Sequence, residues 1–187
     1  MKLRLSEWIL PGLLVCSLGG NLWLAQRLRS TEKSILKASR LTPGEFIPAI
    51  DARLDTGQPR RLDWSGSKIT LIYYFDPGCG WCRRNGPAFR ALVDQIGDGV
   101  IVYSYTPDLS GLEEFRHQTL HTPTVITDDR EDLRRILRLR GTPQTLVIDT
   151  AGRVLKNWGG AYTGAIRTEI QEYFHVHLPV LADPPNG

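Results

Sequence analysis

The sequence predicts an α/β fold: a mixed central sheet flanked by helices, with an N-terminal hairpin and a membrane helix in front. Three observations predict it. From residue 68 onward, apolar runs of strand length alternate with amphipathic stretches of helix length, which is the pattern of an α/β sheet. The run Ile69-Thr70-Leu71-Ile72-Tyr73-Tyr74-Phe75 is almost continuously apolar, as expected of a strand covered on both faces. The last two strands are joined by Thr150-Ala151-Gly152, a connection that suits an antiparallel edge pair.

The chain has 187 residues, 41% apolar and 23% charged. That suits one globular domain with an extension, and a domain of that size buries a core without staples. The net charge of +3 comes from scattered basic residues nearly matched by acidic ones, which argues against nucleic acid as a partner. Three cysteines are too few for a disulfide scaffold. Four segments follow: residues 1–26 as a membrane anchor or signal segment, 27–41 as a basic stalk, 42–178 as the folded domain, and 179–187 as a Pro-rich tail.

Trp8 to Gln26 carries no charge. As a helix it would span ~28 Å, close to the ~30 Å hydrocarbon core. Its length exceeds a usual signal-peptide apolar region, and no small-x-small site precedes a polar start, so an anchor is favoured over a cleaved signal. Trp8 and Trp23 sit near its ends, as interfacial aromatics do. Cys16 reads as a lipid-facing apolar residue. Lys2 and Arg4 flank one side, and Arg27, Arg29, Lys33, Lys37 and Arg40 the other. Counting charges puts the following domain in the cytoplasm, although a large domain translocates regardless of nearby charge.

The elements then follow in order. Phe46 to Ile50, Arg53 to Asp55, the turn Thr56 to Pro59 and the return Arg60 to Leu62 make a hairpin. Lys68 to Phe75 is the first strong strand. Arg83 to Ile96 is a helix with Phe89, Leu92, Val93 and Ile96 on one face and a kink at Pro87. Val100 to Tyr105 is a strand, and Asp108 or Ser110 caps a helix reaching Thr119. Thr124 to Ile126 is a short strand. Asp128-Asp129 caps a helix carrying Leu133, Ile136 and Leu137; its Arg134, Arg135 and Arg138 read as a solvated face. Gln144 to Asp149 and Arg153 to Trp158 are the closing strands. Gly159-Gly160 breaks the second, and a helix from Thr163 to Phe174 ends the domain.

Chemistry concentrates at Cys79-Gly80-Trp81-Cys82, where the buried strand gives way to a helix. A helix N-terminus offers unpaired N–H groups and partial positive charge, which favour thiolate over thiol. Free cysteine titrates near ~8.5, and such placement lowers that by one to several units. Cys79, at the strand end, is the expected exposed nucleophile, and Cys82, one turn on, the resolving thiol. The second element is Thr142-Pro143. X-Pro is the setting in which a cis peptide is accessible, and a strand end there would offer an exposed backbone edge to an extended substrate chain.

These stretches resemble the thioredoxin-like superfamily, and within it the membrane-tethered TlpA/ResA/CcmG-type thiol-disulfide oxidoreductases. The resemblance covers Leu41 to Phe174. It rests on PGEFIPAIDARLDTGQPRRL, similar to the family's hairpin, on LIYYFDPGCGWCRRNGPAF, and on GTPQTLVIDTAGRVLKNWGG, similar to the family's cis-proline strand, turn and closing strand. Pro87 matches the helix-kinking proline. The extra αβ unit, Asp108 to Ile126, lengthens the path from Cys79 to Pro143 as in TlpA-like proteins.

The resemblance implies catalytic Cys79 and Cys82, and substrate contacts from Gly80, Trp81, Thr142 and Pro143. It implies no cofactor beyond the Cys79–Cys82 redox disulfide, no metal, protein disulfides as substrates, and a membrane dithiol donor. It places the domain on the periplasmic side of the inner membrane, held by a single-pass helix. The chain departs from the family pattern at two points. Tyr73 stands where thioredoxin carries a buried Asp, leaving Cys82 without an identified proton acceptor, and Gly80-Trp81 replaces Gly-Pro.

Two other functions fit this fold. A peroxidase would need a Thr-x-x-Cys, and Asp76 holds that threonine's place. A non-enzymatic copper carrier of the Sco type would need C-x-x-x-C and a distant His. His117 and His121 are spaced i, i+4, but two further ligands are wanted.

Overall fold

The structure is a computed structural model describing residues 17–27, 40–66, 68–119, 124–128 and 132–181. The chain divides into two units, residues 1–39 and 40–187. In the first unit, residues 17–27 form a solvent-exposed helix, α1. Most of the expected anchor, including Cys16, lies outside the described residues, as do residues 28–39 of the stalk. Among the described residues no helix is long and apolar enough to cross a membrane.

The second unit is built around β3 (Ile69–Tyr74). Leu71, Ile72 and Tyr73 have no exposed surface, and Tyr74 little. Side chains alternate across a strand, so Leu71 and Tyr73 join one core cluster while Ile72 and Tyr74 join the other. The continuous apolar run thus reflects two covered faces.

Seven strands form one sheet in the order β2-β1-β5-β4-β3-β6-β7. Besides β3 they are β1 (Ile50–Leu54), β2 (Pro59–Leu62), β4 (Val100–Tyr105), β5 (Val125–Thr127), β6 (Gln144–Ile148) and β7 (Val154–Gly159). β3 runs parallel to β4 with Ile72 opposite Tyr103, and antiparallel to β6 with Ile72 opposite Leu146. The hairpin β1–β2 closes with Ile50 opposite Leu62. It joins the sheet through β5, by the pairs Arg53–Thr127 and Leu54–Ile126. Phe46, expected in the hairpin, instead makes an isolated bridge to Arg153.

Among the described residues four helices flank the sheet: α2 (Gly80–Ile96), α3 (Leu112–Gln118), α4 (Asp132–Ile136) and α5 (Gly164–Phe174). α2 starts at Gly80 rather than Arg83, because Cys79 itself serves as the N-cap. Pro87 lies within α2 and the helix continues past it to Ile96; the proline is solvent-exposed. α3 is preceded by Gly111 in the left-handed region, φ 72°, a conformation that glycine adopts without a Cβ penalty. Neither Asp108 nor Ser110 caps it; the Asp108 carboxylate instead accepts from the Ser110 N–H at 2.8 Å. Asp128 does serve α4: its Oδ2 accepts from the Leu133 N–H at 2.6 Å.

Candidate active site

β3 delivers the chain to the sheet's end, where the Phe75 N–H still donates to the Tyr105 carbonyl at 3.0 Å. A tight turn follows. Asp76 Oδ1 accepts from the Gly78 N–H at 2.6 Å, and the Asp76 carbonyl accepts from the Cys79 N–H at 3.0 Å. Asp76 is therefore spent on shaping the turn. Cys79 then caps α2 in extended geometry, φ −76° and ψ 114°, and its Sγ accepts from the Cys82 N–H at 3.3 Å. The sulfur takes the place that a Ser or Asp oxygen takes in an ordinary cap, so it receives the helix's orphan donor.

Both cysteines are free thiols. Cys79 is partly exposed, whereas Cys82 has no exposed surface. Burial pushes the Cys82 thiol well above the ordinary cysteine range, and the adjacent Cys79 side chain pushes it further. A buried thiolate lacks solvation, so the neutral form is favoured.

Across from Cys79, the Thr142–Pro143 peptide bond is cis. The Cys79 thiol donates to the Thr142 carbonyl at 3.6 Å. The Pro143 carbonyl accepts from the Gly160 N–H at 2.8 Å, which ties this loop to the end of β7. Beside the pair lies a groove of about 180 Å³ lined by Trp81, Thr142, Pro143, Gly160, Ala161 and Thr163. The structure thus brings together Cys79, Cys82, Thr142 and Pro143, with Trp81 at the groove. Gly80 is exposed, and a side chain there would meet nothing within 4 Å. Trp81 is 52% exposed, with the Arg84 guanidinium stacked 4.8 Å above its ring centre.

Beneath the pair, Tyr73 is fully buried and stacked on Phe89 with ring centres 3.9 Å apart. Burial, then the nearby Cys82, hold its hydroxyl well above the usual phenol range, so it stays protonated. Its oxygen accepts from Asn85 Nδ2 at 3.2 Å, and Asn85 Oδ1 accepts from the Tyr162 N–H at 2.7 Å. The Tyr162 hydroxyl pairs with Thr145 Oγ1 at 2.8 Å. Neither Asn85 nor the 160–163 turn carries a motif in the sequence; Gly159-Gly160 is the one signal nearby, and by itself it marks only a strand break.

The remaining candidates lie elsewhere. His117, His175 and His177 are exposed, and His121 is outside the described residues. Among the described residues no group of three or more His, Cys, Asp or Glu side chains converges. Arg134, Arg135, Arg138 and Arg140 line a cavity of about 330 Å³ with Leu139; Arg135 is paired with Asp132 at 2.8 Å and Arg138 with Glu45 at 3.0 Å.

No protein-family model and no curated protein matches the sequence. Solved structures do. A protein assigned as thiol:disulfide interchange protein DsbE from Chlorobium tepidum aligns at 21% identity and TM-score 0.58, over 72% of this chain and 96% of that one. The thioredoxin domain of a thiol-disulfide oxidoreductase from Bacteroides vulgatus aligns at 19% identity and TM-score 0.53, over 72% and 99%. Peroxidoxin BcpB from Mycobacterium tuberculosis aligns at 16% identity and TM-score 0.59, over 73% and 97%.

The chain has the thioredoxin-like fold.

At these identities the likeness is one of fold, and it holds for oxidoreductases and for a peroxidoxin alike. What distinguishes uses of a thioredoxin-like fold is the site. In this thioredoxin-like domain the site is one half-open sulfur at a helix cap, one buried sulfur behind it, and a groove beside the first.

Proposed function

We propose that the chain is a thiol-disulfide oxidoreductase of the TlpA/ResA/CcmG type that reduces protein disulfides. The observation that carries this reading is the placement of Cys79. Its sulfur caps α2, meets the Thr142 carbonyl at 3.6 Å, and sits beside an open groove with Cys82 behind it.

In the first step the Cys79 thiolate attacks a substrate disulfide. A Cys79–substrate bond forms, the substrate S–S bond breaks, and one substrate thiolate departs. Cys82 then attacks Cys79 Sγ. The mixed disulfide breaks, the proton of Cys82 passes to the departing substrate sulfur, and the Cys79–Cys82 disulfide holds the oxidising equivalents. Two electrons have moved to the substrate. A dithiol donor at the membrane returns the pair to the reduced state, and no cofactor other than the pair is required.

The direction is set by the reduction potential of the Cys79–Cys82 pair. Low-potential pairs and strong oxidants differ in how far the reduced form is stabilised, over about −270 to −120 mV. Cys82 is fully buried with its thiolate disfavoured, so it adds no stabilisation of its own to the reduced form; the reducing direction is the one that the TlpA/ResA/CcmG resemblance implies. The peroxidase reading has no matching support, because the Asp76 carboxylate is tied to the Gly78 N–H.

The test is insulin reduction with a dithiol donor. Cys79→Ser lowers the rate by more than ~100-fold, since the nucleophile carries the reaction. Cys82→Ser accumulates mixed disulfides visible on non-reducing gels. Full activity in Cys79→Ser would sink the proposal.

The uncharged stretch Trp8 to Gln26, helical over residues 17–26, supports a single-pass membrane anchor; the periplasmic side of the inner membrane is what the family resemblance implies, against the count of flanking charges. The full chain should stay in the membrane pellet through alkaline carbonate washing, and added protease should reach the domain in spheroplasts. Release by carbonate, or protection of the domain, would contradict this placement.

A further inference from the structure

Asn85 has no exposed surface and stands on α2 three residues past Cys82. Both ends of its amide are used. Nδ2 donates to the Tyr73 hydroxyl at 3.2 Å, and Oδ1 accepts from the Tyr162 N–H at 2.7 Å. Tyr162 belongs to the 160–163 turn, whose Gly160, Ala161 and Thr163 line the groove together with Trp81, Thr142 and Pro143. The same turn holds the Thr142–Pro143 loop, through Gly160 N–H to the Pro143 carbonyl at 2.8 Å. That loop meets Cys79 through the Thr142 carbonyl at 3.6 Å.

These contacts close a circuit. It runs from Cys79 to Thr142, along Pro143 to Gly160, along the turn to Tyr162, through Asn85 into α2, and back along one helical turn to Cys82 and Cys79. Every link apart from Asn85 is backbone or one of the cysteines. Among the described residues, Asn85 is thus the side chain that hydrogen-bonds the 160–163 turn to the helix bearing both sulfurs. The helix itself is fixed on its other side, because the neighbouring Gly86 lies so near Thr119 that a Cβ would come within 2.6 Å of the Thr119 Cβ.

We propose that Asn85 is a positioning residue that sets the distance between the Cys79 sulfur and the 160–163 turn lining the groove, and so governs how an extended substrate chain is seated. The proposal rests on the oxidoreductase reading above. A buried amide suits this task. It carries no charge to solvate, and it supplies one acceptor and one donor where the Tyr162 N–H and the Tyr73 hydroxyl need partners. An apolar replacement of similar size leaves both unpaired. The turn is then free to drift, and a peptide that spans the groove feels that drift. A small disulfide reaches Cys79 without spanning the groove.

The experiment compares two substrates on the reduced protein: a disulfide-linked peptide long enough to cross the groove, and hydroxyethyl disulfide. Asn85→Leu is expected to lower the ratio of the peptide's kcat/KM to the small disulfide's by about tenfold, chiefly through KM. Asn85→Asp keeps an acceptor for the Tyr162 N–H and should recover the ratio to within about threefold of wild type. An equal loss on both substrates overturns the proposal, because it marks a general structural defect. A second measurement needs neither activity nor a folded variant. In wild-type protein the Tyr162 amide proton should exchange at least about a hundredfold more slowly than the same amide in the unfolded chain, and free exchange there overturns the proposal. A wild-type protein that reduces neither substrate while protecting that amide would instead refute the oxidoreductase reading.

Discussion

The two sulfurs differ most in their relation to water. Cys79 is partly exposed and Cys82 is sealed, and burial raises the Cys82 thiol. In the unfolded chain the same thiol ionises near ~8.5. Below that pH both states hold the proton and the difference costs nothing. Above it the unfolded state releases the proton while the folded state keeps it, so stability falls as pH rises. The slope is about 1.4 kcal/mol per pH unit for one group. Denaturation of the reduced domain between pH 8 and 10 should therefore show a decline that is shallower in Cys82→Ala. Parallel slopes would mean that Cys82 ionises alike in both states. The reactive pair itself was legible in the sequence, because C-x-x-C at a strand-to-helix junction carries its own chemical logic. Asn85 was not. A lone Asn in a helix signals nothing until the partners of its amide, 12 and 77 residues away, are brought beside it.

At the scale of elements, α2 ties the site to the core. Its buried face carries Cys82, Asn85, Gly86, Ala88, Phe89 and Leu92. Phe89 and Leu92 follow the apolar spacing that predicted the helix, and both have no exposed surface. The sequence places the start of α2 three residues late, at Arg83 rather than Gly80, for a chemical reason. Cysteine is not a usual cap residue, so nothing in the sequence marked Cys79 as the cap. Gly86 is the tightest point of the helix's packing. Alanine normally favours a helix over glycine by about 1 kcal/mol, but here the added Cβ would press on the Thr119 Cβ at 2.6 Å and on the Thr119 backbone at 3.0 Å. Gly86→Ala is expected to lose about 1–3 kcal/mol in urea denaturation, the usual range for overpacking. A gain in stability would show that α2 and the end of α3 can separate at little cost.

Over the whole domain, alternation of strands and helices revealed the α/β class, and near-continuous apolarity revealed that β3 is central. The attachment of the hairpin was hidden. It includes two residue pairs between β1 and β5, the Arg60 guanidinium on the Tyr103 hydroxyl at 2.7 Å, and the contact of Arg116 in α3 with Asp55 at the hairpin, whose partners lie 61 residues apart. Both members of that ion pair are largely shielded, at 26% and 20% exposure. Removing one partner leaves the other charge poorly solvated. Arg116→Leu is therefore expected to raise hydrogen exchange in β1 and β2 before it affects β3, whose amides pair on both sides with β4 and β6. Uniform loss of protection across all seven strands would mean that the hairpin and the central sheet open together.

The exposed indole of Trp81 has an optical consequence. It sits between the two sulfurs in sequence and on the groove in space, while Trp64 and Trp158 are buried, at 6% and 5% exposure. Formation of the Cys79–Cys82 bond, or arrival of a chain in the groove, changes the surroundings of this indole and leaves those of the buried Trp64 and Trp158 as they were. The difference in emission between the protein and Trp81→Phe should then follow the oxidation state of the pair during a redox titration, so the protein carries its own fluorescent indicator of turnover.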